Sequence, residues 1–274
     1  METESPRKLP PLSAIEFAIE QTFRNFGFGL LLVLAWVFVL LPFIAAGYAF
    51  GLQEGIAKPA EMSAANMAVA ALLGMTIALS LLSISVNWHR RILLGETPRR
   101  WAWLRLDGPV WRFLGYLLVI AVWLASVGGL VVLVLTRLTP DAVPQLGPAA
   151  KPLSIALAVV LGLTGLLVAD RLSTNLAAAA AANRSFGMGR SLRVTRRHTW
   201  RLLGMTFWML FTLGLAGAIG AGGYLLHQQF STPWTLGLAA VLFAVVAWFS
   251  VFFLLTLPAS VYRHLGEGRD FEQG

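Results

Sequence analysis

Six mostly apolar stretches, at about 27–51, 65–88, 112–136, 153–175, 203–227 and 234–257, are each long enough to cross a bilayer. A helix needs roughly 20 such residues to span a hydrocarbon core about 30 Å thick. In lipid every backbone amide must be satisfied within its own segment or by a close neighbour, so runs of this length can only be helices. At 57% hydrophobic and 12% charged residues, with mean hydropathy +0.72, the 274-residue chain has too little polar surface to coat a water-soluble globule. The expected fold class is an all-α integral membrane protein, six transmembrane helices in a single membrane domain.

The spans are not independent. Phe23-Arg24-Asn25-Phe26-Gly27, Trp111-Arg112-Phe113-Leu114-Gly115 and Trp200-Arg201-Leu202-Leu203-Gly204 repeat one motif ahead of the first, third and fifth spans, their arginines 88 and 89 positions apart. The chain therefore reads as three tandem two-helix repeats, about 12–96, 100–184 and 185–267. With an even number of spans per unit, the copies share one orientation about a pseudo-threefold axis along the membrane normal.

Each repeat is expected to open with an interfacial amphipathic helix. In the first, Ser13 and Glu16 have the spacing of a capping box, and Leu12, Ile15, Ile19, Phe23 and Phe26 recur every three or four residues. In the third, Arg190, Arg193, Arg197 and Arg201 fall on one face of a continuous helix. Asp107-Gly108-Pro109 interrupts the middle copy between Trp103 and Trp111. Of the expected external loops, 137–152 carries Pro140, Pro144, Pro148 and Pro152, an extended strap.

Eighteen of the 21 Lys and Arg residues fall on one side of this topology; Lys58, Arg137 and Lys151 fall on the other. The positive-inside rule then puts both termini in the cytoplasm. The net charge of +8 belongs to the membrane surface, where arginines meet anionic headgroups, and does not imply nucleic-acid binding. The opening residues lack the basic start, short apolar core and cleavage site of a secretory signal, so no cleaved leader is expected. Zero cysteines exclude disulfides and thiolate metal sites.

Trp88-His89-Arg90-Arg91-Ile92-Leu93-Leu94-Gly95-Glu96, Leu257-Pro258-Ala259-Ser260-Val261-Tyr262-Arg263-His264-Leu265-Gly266-Glu267 and the segment from Arg184 to Gly204 carry a family likeness. With them the chain resembles uncharacterised six-span bacterial inner-membrane proteins, a group similar to the membrane domain of some glycerophosphodiester phosphodiesterases. The resemblance implies a six-helix protein of the bacterial inner membrane and assigns no chemistry. Where that group often has Leu-Pro-Ala after the arginine of the fourth span, this chain has Asn175-Leu176-Ala177-Ala178. The tandem hairpins also invite comparison with mitochondrial solute carriers, but Pro42 is followed by Phe43, Ile44, Ala45 and Ala46 where those carriers need a charged signature.

Four groups of residues are candidates for function. Arg190, Arg193, Arg197, Arg201, Arg112 and Arg24 are expected to face anionic lipid; the plainer reading is that they anchor and orient the chain. Asp170, Arg171, Asn175 and Asn87 are the candidate intramembrane polar site. A mid-bilayer charge costs about 2.5–3.5 kcal/mol, yet both charged residues come close to the inner boundary of the fourth span, where Arg171 can snorkel. Gly214, Ala218 and Gly222 form a small-residue stripe, widened by Gly217, Gly220 and Gly223 and suited to close helix packing, within the bundle before any dimer. Trp36, Trp88, Trp111, Trp200 and Trp234 read as interfacial anchors, Trp123 and Trp248 as packing. Gly95 and Gly266 read as left-handed helix stops, which makes Glu96 and Glu267 surface acids. His89, His198 and His264 lack metal-ligand spacing, and neither a metal nor another cofactor is expected.

A membrane hydrolase would need a nucleophile and base or paired carboxylates, and no such set occurs. Two expectations remain. One is a non-enzymatic scaffold or regulator whose arginine-rich side engages membrane lipid or an unidentified protein. The other is a transporter or channel for a small solute or lipid, for which the spans offer few lining groups.

Overall fold

The computed structural model describes residues 9–49, 63–97, 105–138, 147, 149–230 and 233–271. Among these there is no strand, and eight α-helices account for most of them: α1 Pro11–Arg24, α2 Phe26–Ala49, α3 Ala64–Leu94, α4 Gly108–Arg137, α5 Ala150–Ala180, α6 Met188–Thr195, α7 Thr199–Phe230 and α8 Pro233–Val261. Six of them, α2 to α5 with α7 and α8, are long and apolar enough to cross a membrane. Consecutive long helices pair as α2/α3, α4/α5 and α7/α8, while α3 also packs on α8.

Burial is lopsided along these helices. It gathers at the end where α2, α4 and α7 begin and α3, α5 and α8 finish: Leu32 and Trp36, Val110 and Phe113, Leu202 and Met205 on the first set, with Val86 to Leu93, Leu172 to Ala180 and Phe252 to Tyr262 on the second. The opposite halves leave Phe38, Ile44, Leu72, Val132, Val160 and Val241 exposed. Lipid tails are as apolar as leucine, so nothing drives such residues together in a bilayer and van der Waals fit decides where helices meet.

That fit is best at the finish of α5. Ala177, Ala178, Ala179 and Ala180 are all fully buried, the first two among aromatic residues of α3 and α8 and the last two beside Val86, Val110 and Phe113. Alanine adds almost no width to the helix, so neighbours approach its backbone from every side, and it has the highest helix propensity. Elsewhere glycine makes the approach: Gly165 faces Val127 across the α4/α5 pair, where a Cβ would come within 2.6 Å, and its carbonyl accepts from Trp123 Nε1 at 3.0 Å.

Several expectations need correction. Pro10 caps α1 without a side-chain bond and Pro11 starts it, because proline lacks the N–H that the first turn leaves unused; Ser13 lies inside the helix and makes no box with Glu16. Instead of resting its apolar stripe on lipid, α1 packs Ala14, Ile15, Ala18 and Thr22 against α7 and α8, while Leu12, Ile19, Phe23 and Phe26 stay exposed. Residues 105–107 are not helical and α4 begins at Gly108, so Asp107-Gly108-Pro109 does stand at a break; Trp103 lies outside the described residues. The strap prolines Pro140, Pro144 and Pro148 lie outside the described residues, and Pro152 sits within α5. Trp88 and Trp36 are core residues; the indole of Trp88 donates to Thr256 Oγ1 at 2.8 Å. Trp111, Trp200 and Trp234 are exposed. Gly95 is the left-handed stop expected of it, at φ 67°, but Gly266 belongs to a π turn, Tyr262–Gly266, and the positive φ falls on Gly268.

The stop after α5 is an alanine. Ala182 adopts φ 58°, and the amide of Asn183 reaches back to the Ala178 carbonyl at 2.9 Å, a Schellman closure. A Cβ in this conformation costs roughly 1–2 kcal/mol, and Ala182 is exposed, so its methyl packs on little in return. Ala182→Gly is therefore expected to stabilise the protein by about 1 kcal/mol, read as a higher melting temperature in detergent. A lowered or unchanged value contradicts the assignment.

Candidate functional site

The packed end of the bundle carries every described arginine except Arg137, and most of these fall into two populations. One is consumed internally. Arg90 grips Glu96 with two bonds of 2.6 and 2.8 Å and donates to the Ala180 carbonyl at 2.9 Å, closing the finish of α5. Glu96 is thus a clamp rather than a plain surface acid. Arg105 pairs with Asp107 at 2.9 Å, and Arg269 with the mostly buried Glu267 at 3.3 Å. Arg91 donates to Asn25 Oδ1 at 2.9 Å and covers the Phe28 ring. Arg263 is buried over Phe17.

The second population is exposed and, among the described residues, without an ion pair: Arg24, Arg184, Arg190, Arg193, Arg196 and Arg197. Arg190 lies over the Phe186 ring at 5.5 Å. The remaining residues of the arginine set point inward. Arg201 donates to the carbonyl of buried Leu9 at 2.5 Å, and Arg112 is half-buried, its Nη1 enclosed without a hydrogen-bond partner. The single helical face expected for 190, 193, 197 and 201 is broken, because α6 ends at Thr195 and Arg196–His198 wind as a 3₁₀ turn before α7. At about 120° per residue that turn rotates Arg201 away from the α6 stripe.

The candidate polar site resolves into separate seams. Asp170 accepts from Thr206 of α7 at 2.8 Å, and Arg171 donates to Thr199 at the start of α7 at 2.5 Å. Directly below, Thr174 and Ser191 bond to one another at 2.6 Å, and Ser191 donates to the Arg171 carbonyl, fastening α6 onto α5. Asn175 is fully buried; its amide donates to the Leu172 carbonyl and its Oδ1 is enclosed without a partner. Asn87 is buried on α3 within 3.5 Å of Ser83 Oγ, which accepts the Arg105 amide at 3.0 Å. The charged pair thus serves the α5/α7 seam, and Asn87 the approach to α4.

Of the small-residue stripe, Gly214, Ala218 and Gly222 do not pack closely within the bundle, whereas the widening Gly220 and Gly223 do. Gly214 and Ala218 are exposed, and a Cβ on Gly214 or Gly222 would meet nothing within 4 Å. The close approach of α7 to α8 occurs at Gly220, against Phe243, and at Gly223, against Ala239. No family model, curated protein or solved structure matches the chain.

Sequence reasoning missed the alanine run and the Thr22, Trp88 and Thr256 cluster, whose hydroxyls lie 3.4 Å apart. The run 177–182 was visible as six successive alanines. The threonine cluster had no local signal, since its members are 168 and 234 positions apart.

The Asp170 carboxylate relies on one hydroxyl. Thr206→Val should cost about 1–3 kcal/mol by leaving it unsatisfied, and much less in an Asp170→Ala background. Equal losses in both arms of this double-mutant cycle, read by thermal melts, would show that the bond contributes nothing.

Proposed function

We propose that the protein is a non-enzymatic, multi-pass protein of the bacterial inner membrane that engages anionic lipid headgroups, or a protein carrying such groups, through its arginine-rich end. In this reading both termini are cytoplasmic, which the distribution of Lys and Arg supports. Its three helical hairpins are tandem repeats, each led by the aromatic-arginine-glycine motif, and α1 and α6 act as interfacial elements beside the bundle. One observation carries the reading. Six arginines at one end of six membrane-length helices are exposed and lack ion pairs among the described residues, although acids nearby bind other arginines.

Near an anionic leaflet each basic residue contributes about 1 kcal/mol of attraction. A transporter or channel is the second reading, favoured by Asp170 lying inside a membrane-length helix. It is the weaker of the two, because Asp170 and Arg171 are engaged in fastening α5 to α7.

The test is native mass spectrometry of protein released from nanodiscs of phosphatidylglycerol and phosphatidylcholine. Arg193→Ala/Arg197→Ala should lower the preference for retained phosphatidylglycerol roughly thirtyfold, the equivalent of about 2 kcal/mol. Unchanged retention removes the lipid-engaging proposal.

A further inference from the structure

Between α2, α3 and α8 runs an open groove of about 450 Å³, lined by Phe26, Leu30 and Val33 of α2, Leu81 and Ile84 of α3 and the 244–252 stretch of α8. No charged side chain lines it. Its origin is aromatic. The rings of Trp248, Phe252 and Trp88 crowd Gly29, where a Cβ would come within 2.8 Å of Trp248, so α2 meets α8 through side chains and the two backbones stay apart. Phe26 against Trp248, with ring centroids 4.4 Å apart, and Trp248 against Phe252, at 4.8 Å, form its wall.

Size and setting select the occupant. The three helices are among those of membrane length, so the groove opens toward hydrocarbon. Its volume falls within the range of about 300–1,000 Å³ usual for small-ligand sites. Two turns of a helix about 10 Å across displace roughly 800 Å³, so the space suits a single flexible chain and is too small for a partner helix. Charge then marks one end. Phe26 follows Arg24 by two residues; Arg24 is exposed and has no ion pair among the described residues, not even with Glu20 one turn back on α1. An apolar slot whose first lining residue follows an exposed arginine by two positions is complementary to a molecule with a hydrocarbon tail and a negative head.

We propose that this groove seats one acyl chain of an anionic glycerophospholipid whose phosphate lies against Arg24. The proposal rests on the lipid-engaging reading and deepens it, adding a defined seat to a diffuse charged end. The site uses Arg24 and not Arg193 or Arg197, which lets the two ideas fail separately.

The experiment places the full chain in nanodiscs containing phosphatidylglycerol with a diazirine midway along one acyl chain, or the matching phosphatidylcholine, and maps the photo-adducts by peptide. Phosphatidylglycerol adducts should concentrate on peptides containing Leu81 or Val245. They should fall at least threefold in Ala244→Trp and in Leu30→Trp, two independent ways of filling the groove, and persist in Val132→Trp on the exposed face of α4. Arg24→Gln should reduce them to the phosphatidylcholine level. Adducts spread evenly over the exposed helices, filled-groove variants indistinguishable from Val132→Trp, or an unaltered phosphatidylglycerol preference in Arg24→Gln would each overturn the proposal. If any of these occurs while Arg193→Ala/Arg197→Ala still lowers lipid retention, only the groove falls; if that retention is also unchanged, both readings fall.

Discussion

Close approach at the finish of α5 is the constraint on which the remainder depends. In a bilayer there is no solvent to drive apolar side chains together, so helices associate where their surfaces fit and their polar groups are satisfied. Ala177 to Ala180 supply the fit, presenting almost bare backbone to α3, α4 and α8. Away from that point the helices meet chiefly in pairs, as at Gly165 against Val127 and Gly223 against Ala239, and many apolar side chains face outward. The result is a bundle joined across its hairpins at one end and held mainly as separate pairs at the other.

Satisfying the polar groups at the tight end uses much of the local chemistry. The last carbonyls of α5 have no helical partners, and Arg90, itself held by Glu96, takes one of them. Ser191 and Thr174 tie α6 to α5, and Arg171 and Asp170 tie α5 to the first turns of α7. These contacts account for the burial of polar side chains here. They also sort the arginines. Those that find a carboxylate or carbonyl become structural, and those left at the surface stay exposed without an ion pair among the described residues.

How much of this was legible in the sequence depended on whether the signal was local. Six spans, their order and the left-handed stop at Gly95 follow from runs of composition and single residues. Helix ends were less legible. The apolar count stops near residues 88 and 175, yet α3 continues to Leu94 and α5 to Ala180, because the polar residues there bond within the protein. The even arginine spacing from 190 to 201 suggested one continuous stripe, and the 3₁₀ turn at Arg196–His198 divides it. Trp88 looked like an interfacial anchor by position, but its partner Thr256 lies 168 residues away and no pattern announced it. Asp170, Arg171, Asn175 and Asn87 were recognised as unusual one by one. Which seam each serves was a question of rotation about the helix axes, which spacing alone leaves open.

The most direct test compares one substitution at the two ends of the same helix. Ala178→Leu puts three extra carbons into the tight contact, where overpacking costs about 1–3 kcal/mol; Ala156→Leu puts them on an exposed part of α5. Thermal melts of the purified protein in detergent should show Ala178→Leu several degrees below the parent, or too unstable to purify, with Ala156→Leu within a degree of it. Equal shifts, or a greater loss for Ala156→Leu, would contradict a bundle held together at the finish of α5.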